Sequence, residues 1–350
     1  LGQADRYITS AFIRELKLFS IRKDEDVAAA DGRDVSIGIA LGLINQDKKN
    51  LADLIPFLDT PSDTPDIPFG VSSGCMCAIL LSYAGSNNKQ IADNLCLPET
   101  VLDSQYYPPH TFFTRMLVRH LVMWDDVTYT REWIESQIPK CYKQSNLDDM
   151  ADKDVISTLW YDYALAGILI ALAMTQVSTD NQELVAILLH YIENYYLQKI
   201  DVLNASLINA SNCTIHFDEY DAATTSAELV QIVSALVLAA SAVSAGYGNI
   251  LILRLLRKLW QIRPEYFGTY HAYPNIRFSE DHIAQAIGWL FLGGGKYALK
   301  SDKKSAGFLA CFTFVDIMAG PNIDVGTWLH LKFYWSLVVE KRCIYALPNP

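Results

Sequence analysis

Tandem repetition of one helical pattern restricts the folds open to this chain more than any other feature of its sequence. Each copy joins an apolar helix rich in Gly and Ala, a short polar or glycine-containing turn, and a second, amphipathic helix. Six copies and a weaker seventh are predicted: 35–58, 71–97, 111–138, 155–197, 227–260, 282–312 and 325–346. Since one copy cannot bury its own apolar face, the copies must stack. The predicted fold is therefore all-α, an α–α solenoid of helical hairpins curved into an arc or a closed toroid.

The spacing of the turns predicts the domain organisation. Turn residues Asn50, Asn88 and Asp125 recur at roughly 35–40 residues, as in other helical repeat arrays. Later copies are farther apart because surface loops rich in Asn, Asp, Tyr or Pro interrupt the array. These predicted insertions are 139–154, 198–224 and 261–280. Residues 1–30 are predicted to form an N-terminal helical segment or partial repeat, and residues 31–350 the repeat array.

The two helices of each copy differ in character. The first helix carries small residues four positions apart, on one face, where they let a neighbouring helix approach closely. These pairs are Gly38 and Gly42, Gly74 and Ala78, Gly167 and Ala171, and Ala235 and Ala239. The second helix is more amphipathic. In the fifth copy four leucines are predicted to line one side and three basic residues to lie mostly elsewhere: Leu251, Leu255, Leu256 and Leu259, against Arg254, Arg257 and Lys258.

Composition excludes a disordered chain and argues against nucleic acid or membrane partners. Hydrophobic residues make up 51% and charged residues 19%, whereas disordered chains lack apolar side chains. The formal net charge of −11 is unfavourable for binding phosphate backbones or an anionic membrane surface. Basic residues cluster only locally, at 254–263 and 296–304. A solvated helix face is the favoured interpretation there, and a contact with a partner protein is the alternative.

One segment is long enough to cross a membrane. Residues 229–250 carry no charge, and about 20 apolar residues suffice for a span. Polar side chains such as Gln231, Ser234 and Ser241 dilute the segment, however, and Ala replaces Leu at many positions. This composition is typical of a central helix packed on several neighbours.

The seven cysteines favour reduced thiols in an intracellular protein. Their number is odd and no C-x-x-C pair occurs, which argues against a disulfide framework or a zinc ribbon. Three glycosylation sequons, at Asn204, Asn209 and Asn212, are interpreted as chance matches in a polar loop. The sequence opens at Leu1 without a visible signal peptide, and we expect it to be part of a longer protein.

Motifs that resemble catalytic ones are better explained by structure. Residues 70–74 match G-x-S-x-G, but a nucleophile elbow requires a sharp strand-to-helix turn. Three prolines precede the motif and no alternating β/α pattern follows it, so Ser72 or Ser73 is predicted to cap a helix instead. The run from Gly293 to Lys296 resembles the end of a phosphate loop, but the rest of that motif is missing. A tight turn between helices is predicted there.

Acids and histidines also give no complete motif. Asp125 and Asp126 follow Trp124 as at the start of a terpene-synthase metal motif, but no further acid follows; a turn with Trp124 buried is predicted. The seven histidines are scattered without metal-binding spacing. We therefore predict no catalytic residue, no metal site and no cofactor. An α/α-toroid enzyme with an acidic central cleft stays open as an alternative, although most acids fall in predicted loops.

Four long blocks of the chain resemble proteasome/cyclosome repeats. In chain order they are NNKQIADNLCLPET (87–100), LVRHLVMWDDVTYTREWIESQIP (117–139), VSAGYGNILILRLLRKL (243–259) and IGWLFLGGGKYALKSDKKSAGFLACF (287–312). Such repeats occur in two scaffold subunits of the proteasome regulatory particle and in the largest subunit of the anaphase-promoting complex. The blocks are more similar to the second group, over about residues 35–345, and the repeats of that group form two concentric layers of helices.

The resemblance implies a structural repeat motif and a function. The motif residues are Gly38, Gly42, Gly74, Trp124, Asp125, Asp126, Gly167, Gly246, Gly248, Asn249, Gly293, Gly294 and Gly295. The implied function is a non-catalytic scaffold in a cell-cycle ubiquitin ligase, in the nucleus and cytoplasm, with contacts to other subunits, the coactivator and the substrate co-receptor. Ubiquitin transfer in that assembly belongs to a cullin-like and a RING-type subunit. A scaffold of the proteasome regulatory particle is the alternative within the same class.

Overall fold

The computed structural model describes residues 6–19, 27–46, 51–58, 69–100, 107–143, 155–203, 218–261, 280–314, 317 and 331–342. Within these ranges the α-helices are α1 (Arg6–Phe19), α2 (Val27–Ile44), α3 (Phe69–Tyr83), α4 (Lys89–Asp93), α5 (Pro109–Val122), α6 (Arg131–Ser136), α7 (Val155–Thr175), α8 (Gln182–Tyr191), α9 (Asp218–Val243), α10 (Ile250–Gln261), α11 (Glu280–Leu290) and α12 (Lys303–Thr313). A π-helix (Ile192–Leu197) continues α8. Short 3₁₀ helices are Ala52–Phe57, Trp124–Asp126, Lys140–Tyr142, Leu292–Gly295 and Leu331–Val338.

The predicted all-α, solenoid-like fold is confirmed. First helices of the predicted copies are α2, α3, α5, α7, α9 and α11, and second helices include α4, α6, α8 and α10. Two short strands, β1 (Tyr297–Leu299) and β2 (Val339–Lys341), pair antiparallel with Ala298 opposite Glu340. The arc or toroid form stays a prediction.

The chain divides into two compact units, and the first comprises Leu1–Thr175 with Asp302–Trp335. In this unit the first helices of consecutive copies are neighbours, because α2 packs on α3, α3 on α5, and α5 on α7. Helix α12 lies much later in the sequence but also packs against α3 and α7. The N-terminal copies and α12 therefore share one core.

The second unit comprises Gln176–Ser301 with Ser336–Pro350 and is built around α9. This helix packs against α8, its π-helical extension, α10 and α11. Its segment Thr225–Val243 is long and apolar enough to cross a membrane, and 83% of the apolar window is buried inside the molecule. The buried Ser234 and Ser241 donate hydrogen bonds to carbonyls one turn earlier, at 2.8 and 2.9 Å. Packing on several helices explains the apolar character of the segment.

Side-chain caps fix where the second helices begin. In each case an Asn or Thr oxygen accepts a hydrogen bond from a backbone N–H in the first turn, which would otherwise have no partner. The caps are Asn88 to α4, Thr130 to α6, Asn181 to α8 and Asn249 to α10. Asp302 caps α12 in the same way. The start of each of these helices is therefore encoded locally, by one polar residue.

Several sequence-based expectations are wrong in detail. The second helix of the first copy is the 3₁₀ helix Ala52–Phe57, since it contains Pro56, which cannot donate an α-helical hydrogen bond. The predicted seventh copy at 325–346 is no helical hairpin where it is described: Leu331–Val338 is 3₁₀ helix and β2 follows. The insertion 198–224 is helical up to 203 and from 218 onward. Asn50 and the three sequons lie outside the described residues.

Candidate functional site

Three of the turns that follow the first helices share one backbone geometry. In each turn two residues separated by one position have positive φ angles, and an Asn follows. The pairs are Gly85 and Asn87 (66° and 53°), Ser178 and Asp180 (56° and 51°), and Gly246 and Gly248 (77° and 68°). Gly adopts this left-handed region without steric cost, and Asn and Asp enter it more readily than most residues. The four-residue patterns are GSNN, STDN and GYGN.

These turns hydrogen-bond to the copy that follows them. The two left-handed residues donate their backbone N–H groups to the last carbonyls of the next first helix. The bonds run from Gly85 to Leu121 and Asn87 to Val122, from Ser178 to Ala242 and Asp180 to Val243, and from Gly246 to Trp289 and Gly248 to Leu290, at 2.7–2.9 Å. Such carbonyls have no partner within their own helix. Each turn thus caps the end of a neighbouring helix and fixes the offset between copies.

Part of this turn motif escaped the sequence analysis. Gly246, Gly248 and Asn249 were among the predicted motif residues. Of the other two turns, Asn88 and Asn181 were recognised only as turn positions, and the left-handed residues were not singled out: Gly85, Asn87, Ser178 and Asp180. The available signal was the recurring Asn with a Gly or Ser three positions earlier. It was obscured because Ser and Asp stand at positions where Gly is expected.

The turn of the third copy is joined to its neighbours by side-chain hydrogen bonds. The Asp125 carboxylate accepts hydrogen bonds from the Asn87 amide and from the Lys303 ammonium, the latter at 2.9 Å. Asn87 in turn accepts the Asp125 backbone N–H at 3.1 Å. Hydrogen bonds from Lys303 and Asn87 lower the pKa of the Asp125 carboxyl. Asp125 therefore joins the second and third copies to α12 and is held as a carboxylate, although it is exposed.

Lys303 was not predicted, and the expectation that Trp124 is buried is wrong. Trp124 is only half-buried. Its ring offers a face to the Lys303 ammonium, which lies 6.0 Å from the ring centre. Asp126 is exposed.

Glycines in the first helices mark the closest helix contacts. A Cβ atom placed on Gly38 would overlap the backbone of Gly74, so α2 and α3 touch through two glycines. A Cβ atom on Gly42 would overlap Leu81, also on α3. On α7, a Cβ atom at Gly167 would overlap the Phe113 carbonyl oxygen of α5. Backbone-to-backbone approach at these positions requires the absence of a side chain.

Residues 293–295 form a tight turn in front of β1. Gly293, Gly294 and Gly295 have φ angles of 55°, 65° and 83°. Side-chain space at Gly293 is taken by the Tyr297 ring, whereas no atom lies near a Cβ at Gly294. The turn follows α11 rather than a strand, which does not fit a phosphate loop.

The serines of G-x-S-x-G lie inside α3 and are buried. The helix begins at Phe69, so the prediction that Ser72 or Ser73 caps it is wrong. A nucleophile elbow would hold its serine exposed at a strand-to-helix turn. This geometry favours a packing role for both hydroxyl groups.

Burial favours the neutral form of three titratable side chains, His110, His120 and Cys311. Burial lowers the pKa of His110 to about 4 and, with a smaller contribution from Arg119, that of His120 to about 3. The Cys311 thiol has its pKa raised by its contact with Cys77 and by burial. No group of three or more His, Cys, Asp or Glu side chains in the described ranges could hold a metal ion.

Two arginines that the sequence analysis did not single out join distant segments. Arg115 is buried and donates hydrogen bonds to the carbonyls of Cys96 and Leu58, at 2.9 and 3.2 Å. Arg342 donates to the carbonyls of Gly246 and Ala245, at 2.9 and 3.0 Å, and its guanidinium stacks 3.7 Å from the Tyr247 ring centre. No local pattern marks either residue, because their acceptors are backbone atoms far away in sequence.

The outer surface of α10 carries both cations and large exposed apolar side chains. Its buried residues are Ile252, Leu255, Leu256 and Leu259, so Leu251 was wrongly placed on the buried side. We define the basic face of α10 as six of its exposed residues, Ile250, Leu251, Arg254, Arg257, Lys258 and Trp260. Ile250, Leu251 and Trp260 expose 60%, 48% and 54% of their surface. An open groove of about 540 Å³ adjoins this face, between Arg257 and Trp260 of α10 and Ala284 and Ile287 of α11.

Stacked first helices and turns that cap the helix of the following copy define a tandem-repeat protein. The model of the family described as the APC1 fifth domain matches residues 1–340. The chain belongs to this family.

Individual relatives agree with this result. The chain is 25% identical to "Anaphase-promoting complex subunit 1" of Schizosaccharomyces pombe, over 93% of its own length and 21% of the relative. It is 26% identical to the protein of that name in Homo sapiens, over 77% of this chain and 13% of the relative. It is also 26% identical to "Negative regulator of mitosis" of Emericella nidulans, over 91% of this chain and 15% of the relative. The chain thus spans about a fifth or less of these relatives.

Proposed function

We propose that this chain is a non-catalytic scaffold domain of the anaphase-promoting complex, a cell-cycle ubiquitin ligase. The match to the APC1 fifth domain over residues 1–340 carries the proposal, together with the names of the relatives. The proteasome regulatory particle is not favoured, since these relatives are named as subunit 1 of the anaphase-promoting complex. The domain holds neighbouring subunits at fixed positions and leaves ubiquitin transfer to the cullin-like and RING-type subunits.

The turn geometry supports a scaffold role physically. In a repeat array each copy contacts its neighbours, so the offset between copies determines the shape of the surface offered to partners. Here paired backbone hydrogen bonds and left-handed residues fix that offset at three turns. Asp125, Lys303 and Arg342 add contacts between segments distant in sequence. A scaffold needs such a preset geometry, because flexible supports hold their partners less precisely.

Affinity purification of the full-length protein tests this proposal. The tagged wild-type protein should co-purify with cullin-like, RING-type and tetratricopeptide subunits, the coactivator and the substrate co-receptor. A version lacking residues 1–340 should lose some of these subunits. Proteasomal ATPases in place of the ligase subunits would overturn the proposal, as would full recovery of every subunit without the domain. Imaging of the tagged protein should place it in the nucleus and cytoplasm.

A second experiment addresses the absence of a catalytic role. Asp126 is an exposed acid of the third turn, in the run that resembles the start of a terpene-synthase metal motif. Asp126→Asn should leave ubiquitin transfer by the purified complex unchanged, because Asp126 is exposed and the proposal gives it no chemistry. Loss of transfer in a complex with its full set of subunits would contradict the proposal.

A further inference from the structure

The basic face of α10 concentrates positive charge on an acidic protein. The formal net charge of the chain is −11, yet α10 contains two arginines, one lysine and no acid. In the described part of the chain, Arg254, Arg257 and Lys258 form no ion pair with a carboxylate. Residues three and four apart lie along one line of a helix. The three cations therefore lie on one surface within little more than one turn of the helix, and their local field favours an acidic partner.

Apolar side chains flank these cations on both sides. Ile250 and Leu251 lie at the beginning of the helix and Trp260 near its end, each about half exposed or more. The groove beside Arg257 and Trp260 is also lined by Leu256 and Ile287. Its volume of about 540 Å³ lies within the range of about 300–1,000 Å³ that accepts ligand groups. A partner that fits this surface must be acidic in its middle and apolar at its ends.

We propose that the basic face of α10 docks an acidic, amphipathic segment of a partner protein, with one large apolar side chain inserted in the groove. Helix α10 is about 18 Å long, which matches three turns of a helix laid beside it. Helix-in-groove recognition of this kind places apolar anchors three and four residues apart. The acids of the segment lie against Arg254 and Lys258. The proposal extends the scaffold role and rests on it only for the source of the partner.

Other occupants fit less well. A nucleic acid duplex would need many phosphate contacts, whereas the three cations cover little more than one turn of helix on a chain of net charge −11. An anionic membrane would be repelled by the same net charge. The exposed Ile250 and Trp260 would also have no use against a phosphate backbone. A protein segment uses both the charges and the apolar flanks.

Site-specific photo-crosslinking in the assembled complex tests the proposal. A photoreactive amino acid replaces Leu251 in the tagged full-length protein, the complex is purified and irradiated, and the crosslinked peptide is identified by mass spectrometry. The expected product is a segment of another protein with excess Asp and Glu and with apolar residues at helical spacing. The same probe at Glu193, an exposed position away from the face, serves as the reference.

Charge reversal supplies the second readout. Arg254→Glu, Arg257→Glu and Lys258→Glu together should reduce the yield of that crosslink by at least about tenfold. A matched control reverses three other exposed cations and should change the yield less than twofold: Lys89→Glu, Arg131→Glu and Lys341→Glu. Replacing the acids of the captured segment with Lys should restore the yield in the first triple variant.

The possible outcomes separate this proposal from the scaffold function. Subunits that co-purify normally without a crosslink from position 251 would overturn the docking proposal alone. A crosslink to nucleic acid, to lipid, to a second copy of this chain or to a segment without excess acid would overturn it too. Loss of all ligase subunits from the wild-type purification would instead overturn the proposed function.

Discussion

At the scale of single residues, a buried polar side chain can connect distant segments by hydrogen bonds. Arg115 shows how this differs from what a sequence pattern predicts. It lies in α5 among apolar residues, yet its guanidinium is buried and its acceptors are the Cys96 and Leu58 carbonyls. The nearby Tyr107 ring lies 5.0 Å from the guanidinium. Hydrogen bonds to a charged group contribute about 1.5–3 kcal/mol, so one such residue can join loops of different copies.

His120 predicts a pH dependence of stability. Its pKa is lowered to about 3 in the folded protein, against about 6.5 in an unfolded chain. The unfolded state therefore binds more protons below pH 6.5, and stability is lost as the pH falls from there towards the folded value. At pH 5 the loss from this one residue is about 2 kcal/mol relative to pH 7.5. His120→Gln should remove that part of the loss.

The measurement is the unfolding free energy of the wild type and the variant at the two pH values. Thr111→Ser is the control, since it changes a buried polar residue of the same helix without a titratable group. It should lower stability equally at both pH values. An unchanged pH dependence in His120→Gln would contradict the assignment of His120 as a buried neutral side chain.

At the scale of elements, the contacts between first helices depend on glycines without room for a side chain. Gly167→Leu on α7 should lower the stability by several kcal/mol, because its side chain would meet the α5 backbone at Phe113. Gly288→Ala on α11 is the matched control, since nothing lies within 4 Å of a Cβ atom there. That change should stabilise the protein by about 0.5–1 kcal/mol through helix propensity. Thermal unfolding measures the melting temperature of both variants. Equal melting temperatures would refute the close contact between α7 and α5 at Gly167.

The turns give a second prediction at this scale. Gly246 and Gly294 both have positive φ angles, of 77° and 65°. A Cβ atom at Gly246 would also overlap the Tyr297 carbonyl oxygen, whereas none lies near Gly294. Gly294→Ala should therefore cost only the backbone strain, about 1–2 kcal/mol, and Gly246→Ala clearly more. Chemical denaturation compares the two, and a larger cost at Gly294 would show that the turn does not join the copies.

The sequence predicts helices better than it predicts the contacts between copies. Apolar runs and small residues mark the first helices because most of their described side chains are buried, and the caps mark the second ones. The turn residues Ser178 and Asp180 were missed because their positive φ angles are imposed by hydrogen bonds to α9. Strand β2 was missed because its partner, β1, lies far away in sequence. Sequence patterns report interactions between residues close in sequence, whereas these turns and this strand depend on partners far away in sequence.

At the scale of the whole molecule, the position of α12 determines how the first unit is completed. A Cβ atom at Gly307 of α12 would overlap Ala84, which directly follows α3. One turn after Gly307, the buried Cys311 contacts Cys77 of α3. Gly307→Leu should therefore loosen α3. Hydrogen exchange should show the amides of α3 exchanging at least about tenfold faster, as local opening becomes easier.

The control for this experiment is Gly288→Leu, a change of the same size at a position with open space. It should leave exchange in α3 unchanged. Unchanged exchange in the Gly307→Leu variant would mean that α12 adds nothing to the stability of α3.

The return of α12 to α3 also affects how this chain is made. A simple repeat array can fold copy by copy as it leaves the ribosome, since each copy needs only its neighbours. Here the first unit includes Asp302–Trp335, so Gln176–Ser301 must be synthesised before that unit is complete. At about 5–20 residues per second, this delay lasts roughly 6–25 seconds. During that interval the surfaces of α3 and α7 that α12 will cover stay uncovered on the nascent chain, where a chaperone could protect them.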